Sequence, residues 1–368
     1  MNRDVKRSSV IKVIYIIVIF ILMLIPLTGL KKSGGNLESE NRRKSEKPKI
    51  MKDKSFNSDL GRDTENWVND NVLFREELSG INSFINIKLF KSSPNEDKVL
   101  VGKDNWLFYS GEKSLEFYRN SKLYSEEELL KIKNNLLKHK AYLDNFNCKM
   151  ILMIPPNKET IYNEYYPDKI LKVSSYSKLD QLMDYLSKNT DLEVIDVRDD
   201  LMRLKSEKTL YYLTDTHWNN MGGFVGYKKL IKAVNKVYEN TPMLSEDDFY
   251  INSVNIKTGD LQNMLALNGY FNDLDYEFKP KEQYSYKEVE TSNNKELITE
   301  IENSDLPKCV MQRDSFTIAM KPFLSNSFSR ITYKWEYNFD YSLIEREKPD
   351  VFIYSILERY IDNLLNDN

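Results

Sequence analysis

A chain of 368 residues, 41% apolar and 30% charged, can bury a sizeable core, either as one large α/β unit or as two domains. Its 24 Tyr and 17 Phe argue against disorder over most of the length. A net charge of −3 and the lack of basic stretches interleaved with aromatics exclude a nucleic-acid binder, and two cysteines exclude a disulfide framework or a cysteine-rich metal site.

Along the chain, Arg3, Lys6, Arg7 and Lys12 precede the uncharged run 13–30, "VIYIIVIFILMLIPLTGL". Eighteen such residues nearly span a bilayer. No A-x-A-like cleavage site follows, nor a cysteine to lipidate, so the run is expected to be an uncleaved single-pass signal anchor. The preceding charges place residues 1–12 in the cytoplasm and everything from 31 onward outside, extracellular or periplasmic. Residues 31–60 are polar and read as a tether. Between Trp67 and Phe90, apolar residues recur at three- and four-residue spacing, which predicts one or two amphipathic helices packed on the main body. "VLVGKDNWLFY" predicts a hairpin turning near Gly102–Asn105, with Trp106, like Trp67, in the core.

Strands and helices then alternate. "SEEE" at Ser125 opens a helix to Asn147, "KMILMIPP" is a strand, "SKLDQLMDYLSKN" a helix, and "EVIDV" and "TLYYLTDTH" are strands. "NNMGGFVGYKKLIKAVNKVY" is a helix with Gly222 and Gly223 in its first turn, and "CVMQRDSF", "RITYKW" and "VFIYSILE" complete a mostly parallel sheet flanked by helices. Residues 240–306 interrupt the alternation as an insertion. Cys148 and Cys309 each begin an apolar run, and one bridge or two buried thiols at neighbouring strand ends both fit them. His139, in "LLKHKAYL", is expected on a solvated helix face, which leaves His217 without a second imidazole and disfavours a metal site.

Functional groups of such sheets collect at the carboxyl ends of the strands. Asp215 and His217 fall at one such end, two residues apart and therefore on one face of an extended backbone. A carboxylate there fixes the imidazole tautomer and stabilises the imidazolium of a general base. Ser315, after Arg313-Asp314, falls at a second end, with its N–H at a predicted helix start where an oxyanion is stabilised. Each stretch alone has an ordinary reading, a structural histidine in one and a capping serine in the other. Together they support a Ser315–His217–Asp215 set.

"LYYLTDTHWNNMGG", "VLVGKDNWLFY", "MIPPNKETIY", "TGDLQNML", "QRDSF" and "KPDVFIYSILERYIDNLL" together resemble the SGNH-hydrolase-like proteins of the alginate O-acetylation type, the AlgJ and AlgX family with its DHHW relatives. The resemblance covers residues 61–368 as one catalytic domain, and it implies an SGNH-like sheet with circularly rearranged motif order, the Asp-His pair preceding the serine. It also implies Asp215 as acid, His217 as base and Ser315 as nucleophile. Two departures stand out: Arg313-Asp314 replaces the Gly-Asp of typical motifs, and Thr216 replaces the first histidine of DHHW relatives. With no carbohydrate-binding domain following, the chain is more similar to the AlgJ arrangement. Arg313, Asn157 and Arg359 are candidates for positioning an oxyanion or substrate. Trp218 is a candidate acceptor-site wall or a core residue.

The expected function is O-acetylation of an exported polysaccharide. No metal or cofactor is called for, and by resemblance a membrane-bound O-acyltransferase delivers the acetyl group. An acetyl esterase with the same triad and a non-catalytic adaptor of a secretion complex are the alternatives.

Overall fold

The computed structural model describes residues 2–31, 36–37, 42–52, 55–257, 259–302 and 305–366. The chain divides into two compact units, Met1–Asn95 with Gln262–Asn268, and Glu96–Leu261 with Gly269–Asn368.

In the first unit, helix α1 spans Asn2–Leu24 and passes into a 3-10 segment, Ile25–Lys31, where Pro26 removes a backbone donor. Among the described residues, no helix is long and apolar enough to cross a membrane. The expected anchor 13–30 is thus divided between two kinds of helix. Two further helices follow, α2 (Leu60–Asn71) and α3 (Arg75–Ile85). Trp67 is only half-buried, not in a core as expected. The α3 helix buries Ser83 and leaves Leu78, Ile81 and Ile85 exposed, Ile81 by 57%, and Phe74 before it and Leu89 and Phe90 after it are exposed as well. That apolar stripe, expected to be packed, faces outward.

The second unit is built on seven strands: β1 (Lys149–Ile154), β2 (Glu193–Asp196), β3 (Lys287–Val289), β4 (Glu296–Glu300), β5 (Lys308–Arg313), β6 (Arg330–Trp335) and β7 (Val351–Ser355). Their order is β3-β4-β6-β5-β7-β1-β2. The five strands from β6 to β2 are parallel, and β4 and β3 extend the β6 edge antiparallel. Side-chain alternation sorts the sheet onto two cores. Ile151, Met153, Met311 and Ile353 join Phe224, Leu230 and Ile231 of α6 (Asn220–Val234) on one face. Met150, Leu152, Val310 and Phe352 join α4 (Glu126–Asp144) and α5 (Lys178–Asn189) on the other. Each fully buried aliphatic or aromatic side chain here stabilises by about 1.5–3 kcal/mol relative to exposure.

Local signals explain the element ends. Ser125 Oγ accepts from Glu128 N at 3.2 Å while Glu128 Oε2 accepts from Ser125 N at 2.8 Å, a capping box that starts α4. The 99–109 hairpin turns through Asp104 and Asn105, both in the left-handed region at φ 52° and 64°. His139 is buried, 5% exposed, and stacks on Phe339 at 4.3 Å, a correction to the solvated-face expectation. It lies on the stripe Leu129, Ile132, Leu136, Leu143, where helical spacing directs it inward. Cys148 and Cys309 are free and buried, with β7 between their strands.

"TLYYLTDTH" is not a strand. Only an isolated bridge joins Tyr211 and Trp218, and the segment runs as a loop into α6. The 240–306 segment holds a two-stranded antiparallel ribbon, 249–256 with 273–280, as well as β3 and β4.

Candidate active site

The carboxyl ends of β1, β7 and β5 form one ledge. Ile356 N donates to Met153 O at 3.0 Å, Glu358 N to Pro155 O at 2.9 Å, and Leu357 N to Asp314 Oδ2 at 2.7 Å. Asp314, 1% exposed, also caps the turn after β5 by accepting from Phe316 N at 2.9 Å. Burial raises its pKa, and these two N–H donors and the Arg359 charge oppose the rise. The turn that Asp314 fixes presents Ser315 at the start of a 3-10 turn, Ser315–Ala319. A short α-helix begins only at Lys321.

His217 arrives from the loop before α6. Its Nε2 lies 2.7 Å from Ser315 Oγ, and its Nδ1 lies 2.6 Å from Asp215 Oδ1. Because a carboxylate only accepts, the ring proton belongs on Nδ1, and the Nε2 lone pair faces the serine hydroxyl. Burial opposes ionisation of Asp215, but the hydrogen bond and charge of His217, with the N–H groups of His217 and Asp260, hold its carboxyl at about 2. Burial likewise opposes the His217 cation, and Asp215 more than offsets it, so the imidazole pKa is raised. Trp218 is buried at 1% exposure. Its Nε1 donates to Phe316 O at 2.8 Å, tying the histidine loop to the serine turn.

Tyr212, Asp215, His217, Asn220, Ser315, Phe316, Ile318 and Ala319, with an edge of Trp218, line a cleft of about 220 Å³. Sites that engulf drug-sized ligands run to about 300–1,000 Å³, so this cleft suits a small acyl group, with any larger acceptor lying outside. A larger concavity, about 1,090 Å³, lies among Glu296, Glu300, Arg330, Arg346 and Glu347 at the sheet edge and includes none of these residues.

Asp215, His217 and Ser315 thus meet and Trp218 joins the cleft lining, whereas Arg313, Arg359 and Asn157 stay out of it. Arg313 Nη1 donates to Asp314 O at 3.2 Å, with its guanidinium 4.7 Å over Trp335. Arg359 sits between Tyr109 and Tyr360, at 5.1 and 5.2 Å, and its charge lowers the pKa of His217. Asn157 is 1% exposed, its N donates to Glu358 Oε2 at 2.7 Å, and its side-chain amide has no hydrogen-bond partner among the described residues.

Sequence reasoning missed the residues that hold the histidine loop. Asp260 accepts from Thr216 N at 2.8 Å and Thr216 Oγ1 at 2.6 Å, and its own N donates to Asp215 Oδ2 at 2.9 Å. Asp273 takes Thr214 N at 3.0 Å, along with Leu213 N and Thr214 Oγ1. Asp275 holds Asn220 N at 3.0 Å and Tyr212 Oη at 2.9 Å. The signal for Asp273 and Asp275 was the acidic stretch "NDLDYE" inside a segment that otherwise read as polar insertion, and Asp260 stood in "TGDLQNML", a stretch that carried only the resemblance. Asp215, His217 and Asp260 offer ligand atoms within 4.8 Å of one another, as a metal site would. Each of those atoms is already committed to the hydrogen bonds just described, so the set fits a relay.

A strand-end serine, an imidazole and a carboxylate are aligned here at a parallel sheet, an arrangement chemically able to support nucleophilic acyl transfer. Over residues 99–334 the chain matches the family described as SGNH hydrolase-like domain, acetyltransferase AlgX, and it belongs to that family. It is 26% identical over 196 residues to a protein of Pseudomonas syringae pv. tomato described as "Probable alginate O-acetylase AlgJ", a match covering 52% of this chain and 46% of that relative. The fold resembles Bacillus cereus PatB1, with a TM-score of 0.55, 15% identity and coverage of 73% of this chain and 99% of that one. It also resembles a DHHW family protein from Eubacterium siraeum, with a TM-score of 0.50, 15% identity and coverage of 73% and 94%.

Proposed function

We propose that this chain is a membrane-attached, extracytoplasmic O-acetyltransferase that moves acetyl groups onto hydroxyls of an exported polysaccharide through an acetyl-Ser315 intermediate. The observation that carries the reading is the Asp215–His217–Ser315 relay, at 2.6 and 2.7 Å, inside a chain of an acetyltransferase family.

In the first half-reaction Ser315 Oγ attacks the carbonyl carbon of an acetyl donor and its proton passes to His217 Nε2. Asp215 stabilises the imidazolium. The tetrahedral oxyanion forms against the Ser315 N–H, and its collapse expels the donor's leaving group with the proton from His217. In the second half-reaction His217 takes the proton of a sugar hydroxyl as that oxygen attacks acetyl-Ser315. The acetyl ester passes to the sugar, and Ser315 recovers its proton. A small cleft at a surface ledge suits a polymer acceptor, which needs to present only one hydroxyl.

Attachment to the membrane draws on two features of the first unit. The twelve α-helical residues 13–24, at about 1.5 Å rise, and six 3-10 residues 25–30, at about 2.0 Å, reach about 30 Å together, the hydrocarbon thickness. Leu73 N donates to Pro26 O at 2.7 Å, so the exposed stripe around α3 begins beside the outer part of that segment, and it suits an interfacial position on the bilayer. With the relay outside and activated acetyl made inside, a membrane-bound O-acyltransferase is the proposed partner.

The test is turnover of a chromogenic acetyl ester with and without oligosaccharide acceptors, wild type beside Ser315→Ala. Serine-dependent acetylated sugar supports transfer. Serine-dependent acetate alone makes the chain an esterase, and inactivity of folded wild type with both donor and acceptor points to an adaptor.

A further inference from the structure

The loop that carries Asp215 and His217 has no strand partner, so its buried peptide groups must be satisfied elsewhere. Its N–H groups go to carboxylates: Leu213 and Thr214 to Asp273, Thr216 to Asp260, His217 to Asp215. Three of its carbonyls converge on a single cation. Lys158 Nζ donates to Tyr212 O at 3.0 Å, Leu213 O at 3.2 Å and Asp215 O at 2.7 Å. Those three bonds use all the donors an ammonium has. The side chain is 2% exposed, and its Nζ lies 5.5 Å from the Trp106 ring and 5.1 Å from the Phe108 ring, on the hairpin whose Leu107 N also donates to Leu213 O at 2.9 Å.

We infer that Lys158 is a positioning residue for the reaction, its ammonium folding the 212–215 carbonyls around itself so that Asp215 and His217 stay aligned with Ser315. No other residue type would serve as well there. A neutral side chain of that length leaves the Tyr212 and Asp215 carbonyls without this donor and Leu213 O with the Leu107 N–H alone, and a guanidinium spreads its donors over a plane instead of a point.

The clamp is titratable. Burial pulls the Lys158 pKa down to about 8, against the opposing fields of Asp273, Asp260, Asp215 and Glu159, the charged groups that reach it. A neutral amine keeps two N–H donors and loses the charge, so the loop loosens as pH rises through that value. The folded pKa lies below the ordinary 10.5, so between about 8 and about 10.5 the unfolded chain binds the extra proton and this group's contribution to global stability rises with pH. Activity is therefore expected to fall in a window where this residue does not drive unfolding.

This inference rests on the acyl-transfer reading only for its kinetic arm. Hydrogen exchange on the full chain tests it independently. In Lys158→Met, the amides of Leu213, Thr214 and Thr216 are expected to exchange at least about tenfold faster while those of β1 keep their protection. Acetyl-ester turnover should fall about 100-fold in kcat with KM little changed, the cost of a displaced dyad. Lys158→Arg, which stays charged, should lose the alkaline limb of the pH–rate profile. If Lys158→Met does not fold, wild type compared at pH ~7 and ~10 gives the same exchange readout. Unchanged loop protection in the variant, or across that pH range in wild type, would overturn the inference, and so would a Lys158→Met profile identical to wild type. Absence of turnover in wild type with loop exchange responding as stated would refute the acyl-transfer reading and leave the clamp standing.

Discussion

Replacing Asp215 by Asn removes the charge behind His217 while preserving shape. Moving the Asp215 carboxyl from its ordinary 3.8 to about 2 corresponds to about 2 kcal/mol of preference for the carboxylate in the folded protein. An amide can present its NH₂ to Nδ1, which forces the ring proton onto Nε2, the atom that must accept the Ser315 proton. For a triad of this kind the same exchange lowers kcat by about 10⁴-fold. The His217 pKa, raised by Asp215, should fall back towards about 6.5, so the acid limb of the residual activity shifts to lower pH. Stability follows with signs that can be checked. The lowered carboxyl contributes fully above about 3.8 and its contribution is lost as pH falls through about 2, whereas the raised imidazole contributes fully below about 6.5 and loses its contribution as pH rises through the folded value. The Tm deficit of Asp215→Asn should therefore be largest between about pH 4 and 6.5. A pH–rate profile with the chromogenic ester, and Tm measured across the same range, cover both claims. An acid limb and kcat equal to those of wild type would refute the reasoning.

Two further outcomes are expected. A Cβ at Gly223 would stand 2.5 Å from Ala319 Cβ and 2.9 Å from Ala319 backbone atoms, so Gly223→Ala should cost about 1–3 kcal/mol and push the serine turn away from α6. Denaturant unfolding and ester turnover should fall together, and an undisturbed variant would show that the turn tolerates the shift. Replacing Leu78, Ile81 and Ile85 by Ser should leave Tm unchanged, because all three are exposed, while weakening flotation of the full chain with phosphatidylcholine–phosphatidylglycerol vesicles. Flotation equal to wild type would remove the stripe from membrane attachment.

Much of the sheet was legible because fully buried parallel strands write themselves as continuous apolar runs. Lys149–Ile154 and Val351–Ser355 are such runs, and the strand Lys308–Arg313 ends just before Ser315 as "CVMQR" led one to expect. The meeting of Asp215, His217 and Ser315 was legible for a different reason: local spacing put Asp215 and His217 two apart, the serine stood at a second predicted strand end, and family resemblance joined the two stretches. The histidine loop was misread as a strand because "LYYL" has strand composition, yet its peptide groups are satisfied by Lys158, Asp260 and Asp273, 44 to 60 residues away. Long-range charge satisfaction leaves no periodic trace. His139 was misplaced for the opposite reason: the charges beside it outweighed a helical register that in fact points it inward.

The account's central claim is that Ser315 carries the acetyl group. The most direct test is intact-mass and peptide mass spectrometry of the full chain after brief exposure to an activated acetyl ester at mildly acidic pH, where an imidazolium slows release. The account predicts one acetyl group, on the peptide containing Ser315, absent in Ser315→Ala and discharged to an oligosaccharide on raising the pH. A folded wild-type chain that stays unmodified, or that is acetylated equally after Ser315→Ala, would contradict it.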